Sequence, residues 1–372
     1  MTYLLNTDKT WPKLASQLAG ALDHPWVTSI VRKSAIDDTL AGLHPMLSLT
    51  RVKVRVVRII DETATTKTFV LQPNSLWAGA KSGQFIRLQL ELNGRLVERI
   101  YSLSSRGGSR RLAITVKRKE GGVVSEHLHR HVRVGDVFTI SQAAGEFVLP
   151  PLNSELPEKI LLLSAGSGIT PVMSMLHDLK ASDYQGDVVF LHACRTQSEL
   201  IFDHQLHAYQ AALPGWCIKI HTTEARGRLS VDDLLDHVPD LAQRATWLCG
   251  PAAWMDEIHQ VWQDRAYPGA LSSERFGSAP RVSLAPGEPV EVSFSTTGKR
   301  FTTQGAEPLL VQAERAGLTP KHGCRIGICR SCQCTKKTGA VENLLTGEVS
   351  TTPNELIRLC ISAARSDVAL DL

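Results

Sequence analysis

Four cysteines crowd into eleven residues near the end of this chain, at 324, 329, 332 and 334, although its 372 residues hold only eight. The others stand alone at 194, 217, 249 and 360. This uneven distribution says more about the chain than the number of cysteines does. In a reducing compartment, clustering of this kind favours a metal site over a disulfide framework.

Cys324, Cys329 and Cys332 form C-x4-C-x2-C, and Cys360 follows 28 positions after the third. That is the plant-type [2Fe–2S] ligand spacing, three thiolates on one loop and a fourth from a distant strand. Gly323 and Gly327 let backbone N–H groups approach the sulfurs, where hydrogen bonds tune the potential. The competing reading is a zinc knob, which lacks a second paired C-x2-C here. Cys334 is read as core filler or a spare ligand, and Cys194 and Cys217 as buried packing residues on strands.

Apolar residues make up 43% and charged residues 21%, so the chain reads as globular, and its length suits two or three domains. The net charge of +4 is spread without a basic run, giving nucleic-acid binding no support. The longest apolar run, 160–165, falls far short of the ~20 residues of a membrane span. The opening MTYLLNTDKTW has no signal-peptide pattern, so the expected location is the cytoplasm, with no transmembrane segment.

The texture changes along the chain. Residues 1–48 form an extension, partly helical, with Trp11, Leu14, Leu18 and Leu22 at helical spacing; the stripe packs on its own protein or lies against a membrane or partner. Residues 49–152 hold six short β-rich runs and a helix near Ser125, which predicts a closed antiparallel β-barrel. Residues 153–278 alternate strands with helices, predicting a doubly wound parallel α/β domain. A Pro/Gly/Ser-rich linker spans 279–288, and 289–372 open with a hairpin and a helix before the cysteine loop.

Within the barrel region, Arg99-Ile100-Tyr101-Ser102-Leu103-Ser104 offers a cation, an aromatic ring and a hydroxyl on one strand. The segment resembles the RxYS(L/T)S element of the ferredoxin-reductase superfamily. That resemblance implies a flavin, FAD in preference to FMN, with Arg99 on a phosphate, Tyr101 against the isoalloxazine and Ser102 near its N5. Lys117, Gly122, Val123 and Ser125 make up a second element: glycines before a helix start expose N–H groups to an anion, and Ser125 suits an N-cap. In the superfamily this element holds the flavin pyrophosphate. His127, His129 and His131 follow, and a solvated helix face explains them better than a metal site.

Strand ILLLSAG runs into Gly166-Ser167-Gly168-Ile169-Thr170-Pro171, a glycine turn between strand and helix that cradles a pyrophosphate. Gly166, Gly168 and Thr170 are its candidate contacts, and the string resembles the superfamily's own nicotinamide element. The resemblance also places Cys249-Gly250-Pro251 beside the nicotinamide, with Phe276 near the flavin face and Glu274 near N5. Ser102, Cys249 and Glu274 are then the catalytic candidates, Cys249 without a nucleophile's base beside it. Arg195, followed by Thr196 and Ser198, favours the 2′-phosphate of NADPH over NADH, and Arg226 and Arg228 stand ready to join it.

The order of barrel, nucleotide domain and C-terminal ferredoxin resembles the phthalate dioxygenase reductase and vanillate demethylase reductase group. Segments PMLSL, LQPNSLWAGAKSGQF and ERIYSLSS are similar to bacterial reductases that serve membrane fatty-acid desaturases. The resemblance implies a β-grasp fold for 289–372. It also implies electron flow from NAD(P)H through FAD and [2Fe–2S] to a desaturase or similar di-iron acceptor, with docking at a membrane surface through that acceptor. A ring-hydroxylating oxygenase is the alternative acceptor, and a redox sensor without turnover the alternative class. Arg325 and Arg330 beside the ligands raise the cluster potential above roughly −400 mV or form a docking surface for an acidic acceptor.

Overall fold

The computed structural model of the protein describes residues 33–92, 94–151, 156–213, 215–276, 289–305, 307–322, 327, 331–344 and 347–372. The stripe at Trp11 to Leu22, the linker, Gly323, Cys324, Arg325, Cys329 and Arg330 lie outside these residues. The described residues up to Glu274 form one compact unit and those from Arg275 a second. Among them, no helix is long and apolar enough to cross a membrane.

The described part of the first unit begins with helix Lys33–Leu43. Asp37, buried on that helix, accepts from Leu49 N at 2.6 Å and from the Thr50 hydroxyl, tying the extension to the start of the barrel. Six strands follow: β1 (Val52–Thr63), β2 (Thr66–Pro73), β3 (Phe85–Leu92), β4 (Arg95–Ser102), β5 (Leu112–Lys117) and β6 (Val137–Ile140). They pair antiparallel in the order β4-β3-β6-β1-β2-β5, and a bridge from Leu103 to Ile114 joins the two edges. Alternation drives this closure: Val52, Val54 and Val56 of β1 are buried, as are Ile86, Leu88 and Leu90, and all meet in one core.

Strands β7 (Lys159–Ala165), β8 (Asp187–Cys194), β9 (Trp216–Thr222), β10 (Ala245–Gly250) and β11 (Leu271–Arg275) form a second sheet, in the order β11-β10-β7-β8-β9. Pairs β10–β7, β7–β8 and β8–β9 are parallel. The continuous apolar runs of β7 and β8 fit a sheet covered on both faces; one face packs on Trp254, Met255 and Ile258. The chain moves outward from β7 to β8 and β9, then returns to the other side of β7 as β10. Ligands bind beyond the carboxyl ends of strands at such a switch point.

Hydrogen bonds tie the barrel to this α/β layer. Gly83 N–H donates to Ser174 Oγ at 2.7 Å, and the Trp247 indole N–H donates to the Val148 carbonyl at 3.0 Å.

The second unit holds β12 (Val290–Phe294), β13 (Arg300–Thr303), helix Leu309–Arg315, β14 (Gln333–Thr338), β15 (Val341–Asn343), β16 (Val349–Ser350), β17 (Glu355–Arg358), β18 (Ser362–Ala364) and β19 (Val368–Leu370). Its main sheet runs β13-β12-β19-β14-β17, with first and last strands parallel at the centre. Leu309, Leu310 and Ala313 of the helix share the core of that sheet, a β-grasp arrangement. Lys336, wholly buried on β14, donates to the Ser350 carbonyl at 2.7 Å and pairs with Glu355 at 3.1 Å, fastening the smaller sheet to the larger.

Candidate active site

Barrel strand β4 ends at Ser102, and β11 carries Glu274. Ser102 Oγ donates to Glu274 Oε2 at 3.3 Å, and both side chains are buried. Loss of water lifts the Glu274 carboxyl to about 7, a rise that the serine hydrogen bond offsets in part. A carboxyl with that affinity gives and takes protons near neutrality. Cys249, the penultimate residue of β10, is fully buried, and its thiol is pushed well up by burial and then by the Glu274 charge. It stays a thiol, which suits packing and weak donation, not attack.

A cavity of about 530 Å³ opens beyond the carboxyl ends of β7, β8 and β10, lined by Gly166, Arg195, Arg228, Pro251 and Trp254 among others. Strand β7 leads into a 3-10 turn at Gly166–Gly168 and then helix Ile169–Ala181. A Cβ on Gly168 would stand 2.2 Å from the Cys249 carbonyl oxygen, so these two turns approach only because residue 168 has no side chain. Thr170 turns its hydroxyl back to the Ser167 carbonyl at 3.2 Å, bracing the turn from inside. Arg195 is exposed on the rim, while Arg226 is not in the cavity wall.

Lys117, singled out for the flavin, pairs with Glu199 at 2.9 Å on the rim of this cavity. Its hydrogen bond holds the Glu199 carboxyl below the ordinary range.

On the barrel side, Arg99 is exposed and donates to the Glu98 carbonyl at 2.7 Å. Tyr101 packs half-buried against the barrel core, and burial pushes its phenol up. Helix Val123–Arg130 starts earlier than expected. Its N-cap is Gly122, and Ser125 lies in the first turn, accepting from Lys119 N at 3.1 Å and donating to the Gly122 carbonyl at 3.3 Å. The hydroxyl therefore clasps the turn that precedes the helix instead of capping it. Gly121 N–H donates to the Glu126 carboxylate at 3.0 Å and Gly122 N–H to the Lys119 carbonyl at 2.9 Å, and these two glycines with Val123 line a cavity of about 600 Å³.

The histidines depart from a uniformly solvated face. His129 donates to the Val116 carbonyl at 2.7 Å and points at β5, whereas His127 and His131 stack at 5.0 Å. Burial, followed by the neighbouring His131, holds His127 below its usual value.

In the second unit, Cys332 and Cys360 are buried, and Leu359 N–H donates to the Cys332 carbonyl at 3.1 Å, laying the two segments together. Gly327 N–H donates to Cys360 Sγ at 3.2 Å, and the Arg358 guanidinium bonds the Gly327 carbonyl. A thiolate-ligated cluster suits this donor set, in which a backbone amide already faces a sulfur. Cys334 is buried in the core. Cys194 is buried as expected, but Cys217 is half-buried, because β9 is the edge strand of its sheet.

Comparison with known proteins bears on these two halves. The family model described as Oxidoreductase FAD-binding domain matches residues 52–149, and Oxidoreductase NAD-binding domain matches 162–260. An NADPH oxidoreductase of Mycobacterium tuberculosis is 34% identical over 371 residues, covering 95% of each chain. The chain belongs to the ferredoxin-reductase family of FAD- and NAD-binding oxidoreductases.

This NAD(P)H-dependent flavin oxidoreductase is also 30% identical to a glycine betaine monooxygenase reductase subunit of Pseudomonas aeruginosa, over 86% of its own length and 94% of the relative's. The structure of phthalate dioxygenase reductase matches its fold with a TM-score of 0.58 and 22% identity, covering 87% of this chain and 98% of that one. Reading the reductase from sequence missed Glu199, the partner of Lys117, and Trp254. Trp254 carried a signal, standing three residues after Pro251 in the first turn of helix Ala252–Asp264. Glu199 carried none, since its partner lies 82 positions away. Phe276 is half-buried just after β11.

Proposed function

We propose that this reductase takes hydride from NADPH and passes single electrons to a protein acceptor through a [2Fe–2S] centre ligated by Cys324, Cys329, Cys332 and Cys360. The observation that carries the reading is the buried Ser102–Glu274 pair, where barrel and nucleotide sheet meet. FAD, when bound, supplies the exchange between a two-electron donor and one-electron acceptors. Arg99, Gly122, Val123 and Ser125 hold its phosphates, with Lys117 on the rim of the cavity beyond β7, β8 and β10, and Tyr101 and Phe276 cover its ring system. Gly166, Gly168 and Thr170 hold the nicotinamide pyrophosphate, while Gly250 and Pro251 shape the wall next to it. Arg195, with Arg228, takes the 2′-phosphate. Ser102 and Glu274 hold and move the proton that accompanies hydride transfer, and the Cys249 thiol packs beside them.

For the acceptor we propose a membrane fatty-acid desaturase or similar di-iron protein, on the strength of the segments at Pro45 to Leu49, Leu71 to Phe85 and Glu98 to Ser104. A second reading, the reductase component of an oxygenase, is favoured by the similarity to the glycine betaine monooxygenase reductase subunit. Turnover separates both from a redox sensor. The test has two parts. Iron and labile sulfide are assayed in the purified protein, with two of each per chain expected and zinc or four irons overturning the cluster. NADPH-driven turnover is then measured with a desaturase and with an oxygenase component as acceptor; the one supporting sustained turnover identifies the partner class, and turnover with neither returns the protein to the sensor class.

A further inference from the structure

Arg228 sits on the nucleotide cavity between two carbonyls that are each held by a buried ring N–H. The Gly227 carbonyl stands 3.0 Å from His221 Nε2, and the Leu229 carbonyl accepts from Trp254 Nε1 at 3.0 Å. A carbonyl can only accept, so His221 carries its proton on Nε2. Its Nδ1 faces His237 Nε2 at 3.5 Å. His221 is fully buried at the end of β9 and does not line the cavity itself.

The same turn reaches Arg195. Glu224 N–H donates to the Arg195 carbonyl and Gly227 N–H to the Thr223 carbonyl, both at 3.0 Å. Gly227 has φ of +80°, a conformation that side-chain-bearing residues avoid, so the chain reverses there and sends residue 228 back over the cavity. Arg228 Nη2 also lies 3.2 Å from Glu257. An exposed loop arginine needs none of this scaffolding to stay solvated. Pinning the peptide on both sides of it does make sense for a cation that must be in place before an anion arrives, since ordering a loop upon binding weakens affinity.

We infer that His221 is a positioning residue for nucleotide choice: by holding the Gly227 carbonyl it presents Arg228 to the 2′-phosphate of NADPH. This rests on the NADPH reading above, and the experiment separates the two. Affinities of the oxidised holoenzyme for 2′,5′-ADP and for 5′-ADP are measured by calorimetry, together with KM and kcat for NADPH and NADH. Arg228→Ala tests the phosphate contact, and His221→Leu tests the brace. His221→Asn keeps a polar group near the Nδ1 position but cannot reach Gly227, while His221→Gln places an N–H near the original Nε2 position.

Arg228→Ala, His221→Leu and His221→Asn should each weaken 2′,5′-ADP binding about tenfold, the scale of one charge-assisted contact, and leave 5′-ADP within about twofold. KM for NADPH should rise while kcat at saturation holds, and His221→Gln should recover most of the loss. His221→Leu added to Arg228→Ala should cost nothing further. No selective loss in Arg228→Ala would overturn the phosphate reading and the inference with it. Selective loss in Arg228→Ala with wild-type behaviour in both His221→Leu and His221→Asn would overturn the brace alone. Equal loss for both nucleotides in the His221 variants, including His221→Gln, would make His221 merely structural and overturn the brace as well.

Discussion

Ser102 and Glu274 lie 172 positions apart and share a hydrogen bond of 3.3 Å, joining the end of a barrel strand to the last strand of the nucleotide-binding sheet. The contact brings a carboxyl out of water at the point where the two halves of the site meet. Its affinity for a proton, near 7, follows from that burial and not from a neighbouring acid.

This raised affinity has a consequence for stability with a definite sign. The folded protein holds the Glu274 proton up to about pH 7, whereas the unfolded chain releases it near 4.5. Stability is therefore full below the unfolded value and declines as pH rises through the folded one. Glu274→Gln should remove that decline, gaining on the order of 3 kcal/mol at most above pH 7 and little at pH 4. Denaturant midpoints from pH 4 to 8 would show it. The same variant should flatten the pH dependence of hydride transfer near neutrality, and an unchanged stopped-flow profile would remove Glu274 from proton movement.

Replacing Arg195 with Ala deletes a charge-assisted contact to one nucleotide and not the other. NADPH use should fall by ~1.5 to 3 kcal/mol in kcat/KM, about 10- to 150-fold, with NADH use nearly unchanged. Steady-state kinetics with both nucleotides decide it. Parallel losses would mean that Arg195 serves the pyrophosphate or the fold.

The legible parts of this chain were those whose signal is local. Alternating residues such as Val52, Val54 and Val56 announced the barrel, and the apolar run Ile160 to Leu163 announced a parallel sheet, because burial on one or two faces writes its own period. The start of helix Val123–Arg130 was misplaced because Ser125 is a favoured cap residue, yet Gly122 took the position and left the serine to clasp the turn. Lys117 with Glu199, and His221 with Gly227 beside Arg228, were invisible for another reason. Such contacts depend on where the sheet brings its carboxyl ends, and a hydrogen-bond partner leaves no periodic mark.

Gly168→Ala should act on nucleotide binding more than on flavin retention. The added methyl group meets the Cys249 carbonyl at 2.2 Å, so the turn that starts helix Ile169–Ala181 has to move off β10. A cost of about 1 to 3 kcal/mol is expected for such overpacking, most of it local to the cavity. KM for both nucleotides should rise together while the flavin content stays normal. A variant with wild-type KM would show that the turn shifts freely without disturbing the cavity.

Cys360→Ser tests the exit of the electron. The second unit has its own core around Val292, Phe294, Leu309 and Leu359, so loss of one thiolate should leave the first unit intact. The Gly327 N–H that now faces Cys360 Sγ would face a serine hydroxyl, a poor ligand for iron. Iron and labile sulfide should fall away, while NADPH still bleaches the flavin at its usual rate, because Ser102, Glu274 and the nucleotide cavity lie in the other unit. Delivery to the protein acceptor should stop. Stopped-flow flavin bleaching run beside acceptor turnover reads both halves of the expectation. Near-normal acceptor turnover in the cluster-free variant would refute the route through the cysteines and leave the C-terminal unit as a docking module.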